Sequence, residues 1–211
     1  MFEKTPKYAE LIRLYAEMAE NGYDTRRGQR VETAYSDQEA MRFRHELKSL
    51  FTAHGIQTVL DYGGGGGDWR EKETREGGTL AAFLGIRDYR IFEPARAIDE
   101  REPADAVVCF DVLEHVFVGD VGYVLNDIFG QARKLVVINV AGYAANALLP
   151  GGENAHITRR SADWWKGAVD LVASAHPDVT AALYHSQAHA KAHRFPSIKF
   201  AEINAADGFE R

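Results

Sequence analysis

The chain has 211 residues, a formal net charge of −6 and a hydrophobic fraction of 45%. That length supports one domain with one sizeable core, and the acidic balance argues against a broad nucleic-acid-binding face. One cysteine, Cys109, excludes an internal disulfide, and it sits in an apolar run that reads as core. No stretch is apolar over the length needed to span a membrane, and the start Met1-Phe2-Glu3-Lys4 lacks a signal-peptide pattern, so the chain reads as cytoplasmic and soluble.

In chain order, Pro6 to Asn21 carries apolar residues at helical spacing: Tyr8, Leu11, Ile12, Tyr15, Met18 and Ala19. Gly22 is a plausible stop. Tyr23 to Tyr35 is polar, with Arg26, Arg27 and Arg30, and reads as a solvated loop or as a cover over a ligand. Ser36 to Gly55 predicts a second helix opened by a Ser36/Glu39 capping box. Residues 1–54 thus read as a helical N-terminal extension, and 55–211 as an α/β domain joined to it in one compact unit.

The stretch Thr58-Val-Leu-Asp-Tyr-Gly-Gly-Gly-Gly-Gly-Asp-Trp69 is the most informative. An apolar run ends in an acid and then in five glycines. Glycine is costly in chain entropy, so five together imply a backbone that something approaches closely. A strand followed by a bare turn suits a nucleotide-like ligand at the carboxyl end of a sheet strand.

Arg70 to Gly78 is too polar for a packed crossover helix, and Thr79 to Gly85 predicts a short apolar one. Tyr89 to Glu93 and Ala104 to Asp111 predict strands, each ending in an acid. Val112 to Val116 opens a turn, Val121 to Ala132 predicts a helix, and Leu135 to Val140 predicts a strand buried on both faces. Pro150 to Asn154 reads as a loop, Ser161 caps a helix to Ala173, and Val179 to His185 and Ile198 to Ile203 predict late strands. The alternation of strands and helices predicts an open, mostly parallel, seven-stranded-type α/β sheet with helices on both faces.

Asp61-Tyr62-Gly63-Gly-Gly65-Gly-Gly67 resembles the first motif of class I S-adenosylmethionine-dependent methyltransferases. Glu93 falls where that family keeps an acid at the end of its second strand. The run Ala106 to Val116, AVVCFDVLEHV, resembles its fourth-strand motif. The resemblance covers roughly Gly55 to Val140 and implies S-adenosyl-L-methionine as cofactor. The residues it implies at the cofactor are Asp61, Tyr62, Gly63, Gly65, Gly67, Glu93 and Asp111, and Trp69 beside them is a further candidate. Only eleven residues separate Glu93 from Asp105, so the third strand unit is shortened, and Asp99 and Glu100 are substitutes for its adenine contact.

The residues agree with that cofactor. Asp61 suits an ammonium group, and the two oxygens of Glu93 suit the paired hydroxyls of a ribose. Acids at 61 and 68 would repel the pyrophosphate of NAD. Trp69 would stack on the cofactor or close the core.

For transfer to oxygen or nitrogen, the candidates beyond the strand ends are Glu114, His115 as general base, and His156. The adjacent Trp164 and Trp165 would divide between core and a pocket or solvent. Asp111, Glu114, His115 and His156 also resemble the cation-binding set of small-RNA 2′-O-methyltransferases. The leading assignment here is without a metal, and a divalent cation is the alternative. His185, His189 and His193 share a helical spacing that can bind metal but more simply reads as a solvated connection. Arg159 and Arg160 read as surface. The expected function is methyl transfer to a small polar acceptor, with a catalytically inactive, cofactor-binding relative of such enzymes as the other reading.

Overall fold

The computed structural model describes residues 3–32 and 39–187 and the backbone of a last strand at 198–204. Helix α1 (Pro6–Asn21) starts on a proline after extended Thr5 and ends at Gly22, whose amide donates to the Met18 carbonyl. The polar stretch that follows is a small antiparallel hairpin, β1 (Tyr23–Asp24) and β2 (Arg30–Val31). None of its described residues lines the crevice at the carboxyl ends of the strands. The Arg26 amide donates to the Asn146 carbonyl, and the Leu148 amide to the Asp24 carbonyl, so the hairpin is fastened to the loop around Ala147.

The expected second helix is two, α2 (Glu39–Arg42) and α3 (Arg44–His54). The break is Phe43, which is buried against the rings of Phe110 and Tyr184 at 4.9 and 4.7 Å. Burying that ring outweighs one helical residue of regularity. Ser36, the expected cap, lies outside the described residues.

The sheet has seven strands among the described residues. They are β3 (Thr58–Tyr62), β4 (Asp88–Glu93), β5 (Ile98–Asp99), β6 (Ala104–Phe110), β7 (Ala132–Ala141), β8 (Thr180–Ser186) and β9 (Ile198–Asn204). Their order is β5-β4-β3-β6-β7-β8-β9, parallel except for the two edges. The third unit is shortened as the spacing requires: β5 is a two-residue strand folded back on β4. The chain leaves β3 for β4 on one side, then returns past β3 to β6 on the other. Between β3 and β6 the winding reverses, which opens a crevice at the carboxyl ends of the strands.

Helices cover both faces. On one, Leu60, Tyr62, Val107, Cys109, Val136 and Ile138 pack under α5 (Val121–Gln131) and α6 (Ala162–Ala173), with Leu125, Ile128 and Trp165. On the other, Val59, Ala106, Val108 and Val137 meet α3 and α4 (Leu80–Leu84) through Leu47, Phe51 and Leu80. Side-chain alternation along each strand separates the two sets, and each large apolar side chain so buried is worth about 1.5–3 kcal/mol. The expected short helix after Thr79 forms as α4, with Thr79 capping it at the Ala82 amide, and Ser161, the expected cap, caps α6 at the Trp164 amide. No described helix is long and apolar enough to cross a membrane.

Candidate functional site

The crevice between β3 and β6 is a cleft of about 300 Å³. Its floor on one side is the glycine turn after Tyr62. Gly63 has φ +85°, and a Cβ there would lie 2.3 Å from the Val112 Cγ2 atom, so both backbone and space require glycine. The Gly65 amide donates to Glu93 Oε2 at 2.9 Å. Glu93 Oε1 accepts from the Ala95 amide at 3.1 Å, which caps the tight turn Pro94–Arg96. Burial raises the Glu93 pKa, and these two amides partly offset it. Tyr62 lines the same wall. Its hydroxyl donates to Asp127 at 2.8 Å, and burial lifts its pKa well above the usual phenol value.

The opposite wall comes from the ends of β6 and β7. Asp111 has φ +54°, a left-handed conformation uncommon outside glycine. It is held there by Asn139, whose side-chain amide donates to Asp111 Oδ1 at 2.8 Å and which itself accepts from the Ser186 hydroxyl at 2.9 Å. The polar chain Ser186–Asn139–Asp111 thus ties the ends of three strands together below the cleft.

Beyond Asp111, the tight turn Leu113–His115 and the loop carrying His156 bring Glu114, His115 and His156 together. One potential ligand atom from each lies within 4.8 Å of the others, and the two imidazoles meet edge to face at 4.8 Å. Glu114 is fully buried. Its Oε1 accepts from the Ala141 amide at 2.9 Å, while Oε2 is buried with no hydrogen-bond partner. Burial raises its pKa to about 8. The same burial, with the neighbouring His156, lowers the His115 pKa to about 3, and burial also lowers that of His156.

Hydrogen-bond partners assign both tautomers. His156 Nδ1 lies 2.6 Å from the Tyr143 carbonyl, and His115 Nδ1 lies 3.0 Å from the Ala155 carbonyl. A carbonyl only accepts, so each Nδ1 carries the proton and each Nε2 carries the lone pair. Two neutral imidazoles and a buried glutamate brought this close are a candidate ligand set for a divalent cation.

Helix α1 roofs the cleft. Tyr8, Leu11, Ile12 and Tyr15 line it from one helical face, and Glu39 enters from α2. None of these five was singled out as a site residue in the sequence. The helical period of α1 was visible there, but its apolar face could have met any part of the sheet. Among the described lining residues there are three carboxylates, Glu39, Glu93 and Asp111, and no lysine or arginine.

The sequence-derived candidates divide. Tyr62, Gly63, Gly65, Glu93, Asp111, His115 and His156 line the cleft, and Glu114 lies buried beside it. Asp61 does not line it. Alternation along β3 turns it to the other face, where the Tyr89 hydroxyl donates to it at 2.7 Å and the glycine turn folds over it. Trp69 is also absent from the cleft. It is fully buried and stacked on Tyr89 at 5.1 Å, so it closes the core and does not face a cofactor. Gly67 closes the turn by donating to the Gly64 carbonyl.

Asp99 and Glu100 face away from the cleft, paired with Arg101 and with the Ile91 amide, so they are not an adenine contact there. Trp165 is core, whereas Trp164 is 37% exposed beneath the Arg160 guanidinium. Arg159 and Arg160 are on the surface. His185 is buried in β8, with Nε2 on the Arg160 carbonyl, and His189 and His193 lie outside the described residues.

No family model matches the chain, and no curated protein matches it. Among solved structures, an aromatic amino acid aminotransferase with 3-indolebutyric acid is similar at 12% sequence identity and a TM-score of 0.34. The similarity covers 85% of this chain and 43% of that one, so this chain spans under half of its length. A likeness at that score carries no argument about chemistry.

Proposed function

We propose that the protein transfers a methyl group from S-adenosylmethionine to an oxygen or nitrogen of a small polar acceptor. The observation that carries this reading is the charge of the cleft. At the switch point of the sheet, a glycine turn and three carboxylates line it without a lysine or arginine. Glu39 is ion-paired with Arg42 beside the cleft; a diphosphate cofactor would find no lysine or arginine in the described lining, whereas a ligand with an ammonium and a sulfonium would meet carboxylates. Glu93 at the end of β4 keeps acceptor capacity for ribose hydroxyls beyond the two amides that hold it. Phe92, Pro94 and Ala95, with Leu11 and Ile12 above, supply apolar faces for a base in place of the missing third-strand contact.

When bound, the cofactor supplies an electrophilic methyl group on sulfur. The chain's own work is to orient the cofactor through Gly63–Gly65 and Glu93, to exclude water under α1, and to fix the acceptor near His115 and His156. With its pKa near 3, His115 is a poor general base at neutral pH and a good neutral ligand. A second reading follows from the orphaned Glu114 oxygen. Glu114, His115 and His156 would hold a divalent cation, which would bind the acceptor oxygen as a Lewis acid. The free, buried thiol of Cys109 suits a reducing cytoplasm.

Calorimetric titration with S-adenosylmethionine and S-adenosylhomocysteine tests the cofactor, with NAD⁺ as the contrast. Binding of both sulfur ligands and not NAD⁺ is expected. Binding of neither, or of NAD⁺ alone, removes the reading. Binding without turnover on any acceptor would instead place the protein among inactive cofactor binders. For the cation, a Co²⁺ titration should give binding that Glu114→Gln weakens by more than about 100-fold, the upper end of what outer-sphere changes cost.

A further inference from the structure

Helix α1 does more than roof the cleft, because one of its side chains reaches the histidine cluster. The Tyr15 hydroxyl lies 2.9 Å from His115 Nδ1 and donates to the Ala155 carbonyl at 2.8 Å. Its ring meets the His115 imidazole edge to face at 5.2 Å. The hydroxyl has one proton, and the Ala155 carbonyl takes it. What Tyr15 offers Nδ1 is therefore an oxygen lone pair, which only a protonated Nδ1 can use. Tyr15 and the Ala155 carbonyl form a three-centre acceptor for one N–H, and both favour the tautomer that leaves Nε2 bare.

The helix is fixed for this task at its other end. The Thr5 amide and hydroxyl donate to the two oxygens of Asp120 at 2.6 and 2.9 Å, and Asp120 is fully buried. Leu11 and Met18 pack in a separate small core with Ala145, Leu149 and Ala155. Ala155 both packs against α1 and carries the shared carbonyl acceptor, so helix position and carbonyl position are set together.

We propose that Tyr15 is a positioning residue of this site: from a helix outside the sheet it fixes the tautomer and ring orientation of His115, and through His115 the binding of a divalent cation. This rests on the cation reading above. Its test therefore includes an arm that needs no cation. Groups that hold a metal-binding histidine at its second nitrogen typically change metal affinity by about 10–100-fold when removed.

The variants are Tyr15→Phe, which keeps the ring and removes the hydroxyl, and Arg13→Ala, an exposed change on the same helix as a control. In the metal-free protein, ¹⁵N-resolved imidazole spectra should show His115 as the Nδ1–H form in wild type and in Arg13→Ala. A second tautomer should appear in Tyr15→Phe. In a Co²⁺ titration, Tyr15→Phe should bind about tenfold more weakly, and Arg13→Ala should match wild type. A wild-type-like His115 spectrum in Tyr15→Phe overturns the assignment, whatever the affinity does. If wild type binds no Co²⁺, the cation reading fails, and the spectra alone decide the role of Tyr15.

Discussion

At the ends of β3 and β4 the cleft wall is backbone. Gly63, Gly64 and Gly65 turn beneath it, and the Glu93 carboxylate is held on both oxygens by the amides of Gly65 and Ala95. At the ends of β6 and β7 the wall is side chain. Asp111 sits in a left-handed conformation, and Glu114 has one oxygen on the Ala141 amide and the other buried without a partner. The first wall is complete as it stands, because its polar groups are paired within the chain. The second keeps strain and an orphaned acceptor, each of which costs roughly 1–3 kcal/mol. Such costs persist where something outside the chain repays them, so on the proposed reading chemistry belongs to the second wall and the cofactor to the first.

The sharpest way to break this contrast is at Gly63. If the first wall is a fixed backbone surface, Gly63→Ala should cost about 2–4 kcal/mol, from a left-handed φ and from a methyl driven into Val112. Urea unfolding with an unchanged m-value would measure it. Adding Val112→Ala should recover the overpacking part and leave the backbone part. A loss under 1 kcal/mol for Gly63→Ala would mean that the turn yields, and that the first wall is not the rigid one.

A pH series sharpens the second wall, since its groups shift in opposite directions. Glu114 is raised from 4.5 to about 8, so above pH 4.5 the folded chain keeps a proton that the unfolded chain has lost. Its contribution is full below 4.5 and is lost as pH rises through 8. His115 is lowered from 6.5 to about 3, and His156 is lowered too, so below pH 6.5 the unfolded chain binds protons that the folded one refuses. That contribution is lost as pH falls. The metal-free protein should therefore be most stable near pH 6.5 and lose about 1–2 kcal/mol by pH 8. In Glu114→Gln the alkaline loss should vanish. Added Co²⁺ should oppose it in wild type, since a cation stabilises the ionised carboxylate. A flat profile from pH 6.5 to 8 in metal-free wild type would show that Glu114 is not buried as a lone acid.

Much of this arrangement could be read from residue order, and the unread part has a common cause. β-branched runs such as Val107-Val108 and Val136-Val137-Ile138 predicted their strands because burial on both faces leaves a continuous apolar signal. The eleven-residue gap after Glu93 predicted a shortened third unit, and β5 is what fits. Asp61 was misplaced because a period of two says that it opposes Leu60 and Tyr62 but not which face borders the cleft. Trp69, in the turn after the glycines, stacks on Tyr89 near the start of β4, a contact that local pattern does not encode. Tyr15 was visible as one apolar position of a helix. Its partner lies 100 residues away, and nothing in its spacing separates a core tyrosine from one that grips a histidine.

The smallest expected effect on stability is the most direct comparison of the two walls, because it removes strain without touching the core. Replacing Asp111 by glycine relieves the left-handed backbone but loses the Asn139 bond and adds chain entropy, so the terms nearly cancel. Stability of Asp111→Gly should stay within about 1 kcal/mol of wild type. Asp111→Asn keeps an oxygen for the Asn139 amide, keeps the strain and removes only the charge. If Asp111 is strained for the sake of a cationic ligand, both variants should bind S-adenosylhomocysteine more weakly, by about tenfold for one lost charge contact. Calorimetry and urea unfolding on the same preparations separate the two effects. A glycine variant that loses more than 2 kcal/mol yet binds normally would mean that Asp111 holds the sheet ends together and faces the cleft only incidentally. The contrast would then reduce to Glu114 alone, whose orphaned oxygen no relief of backbone strain can explain.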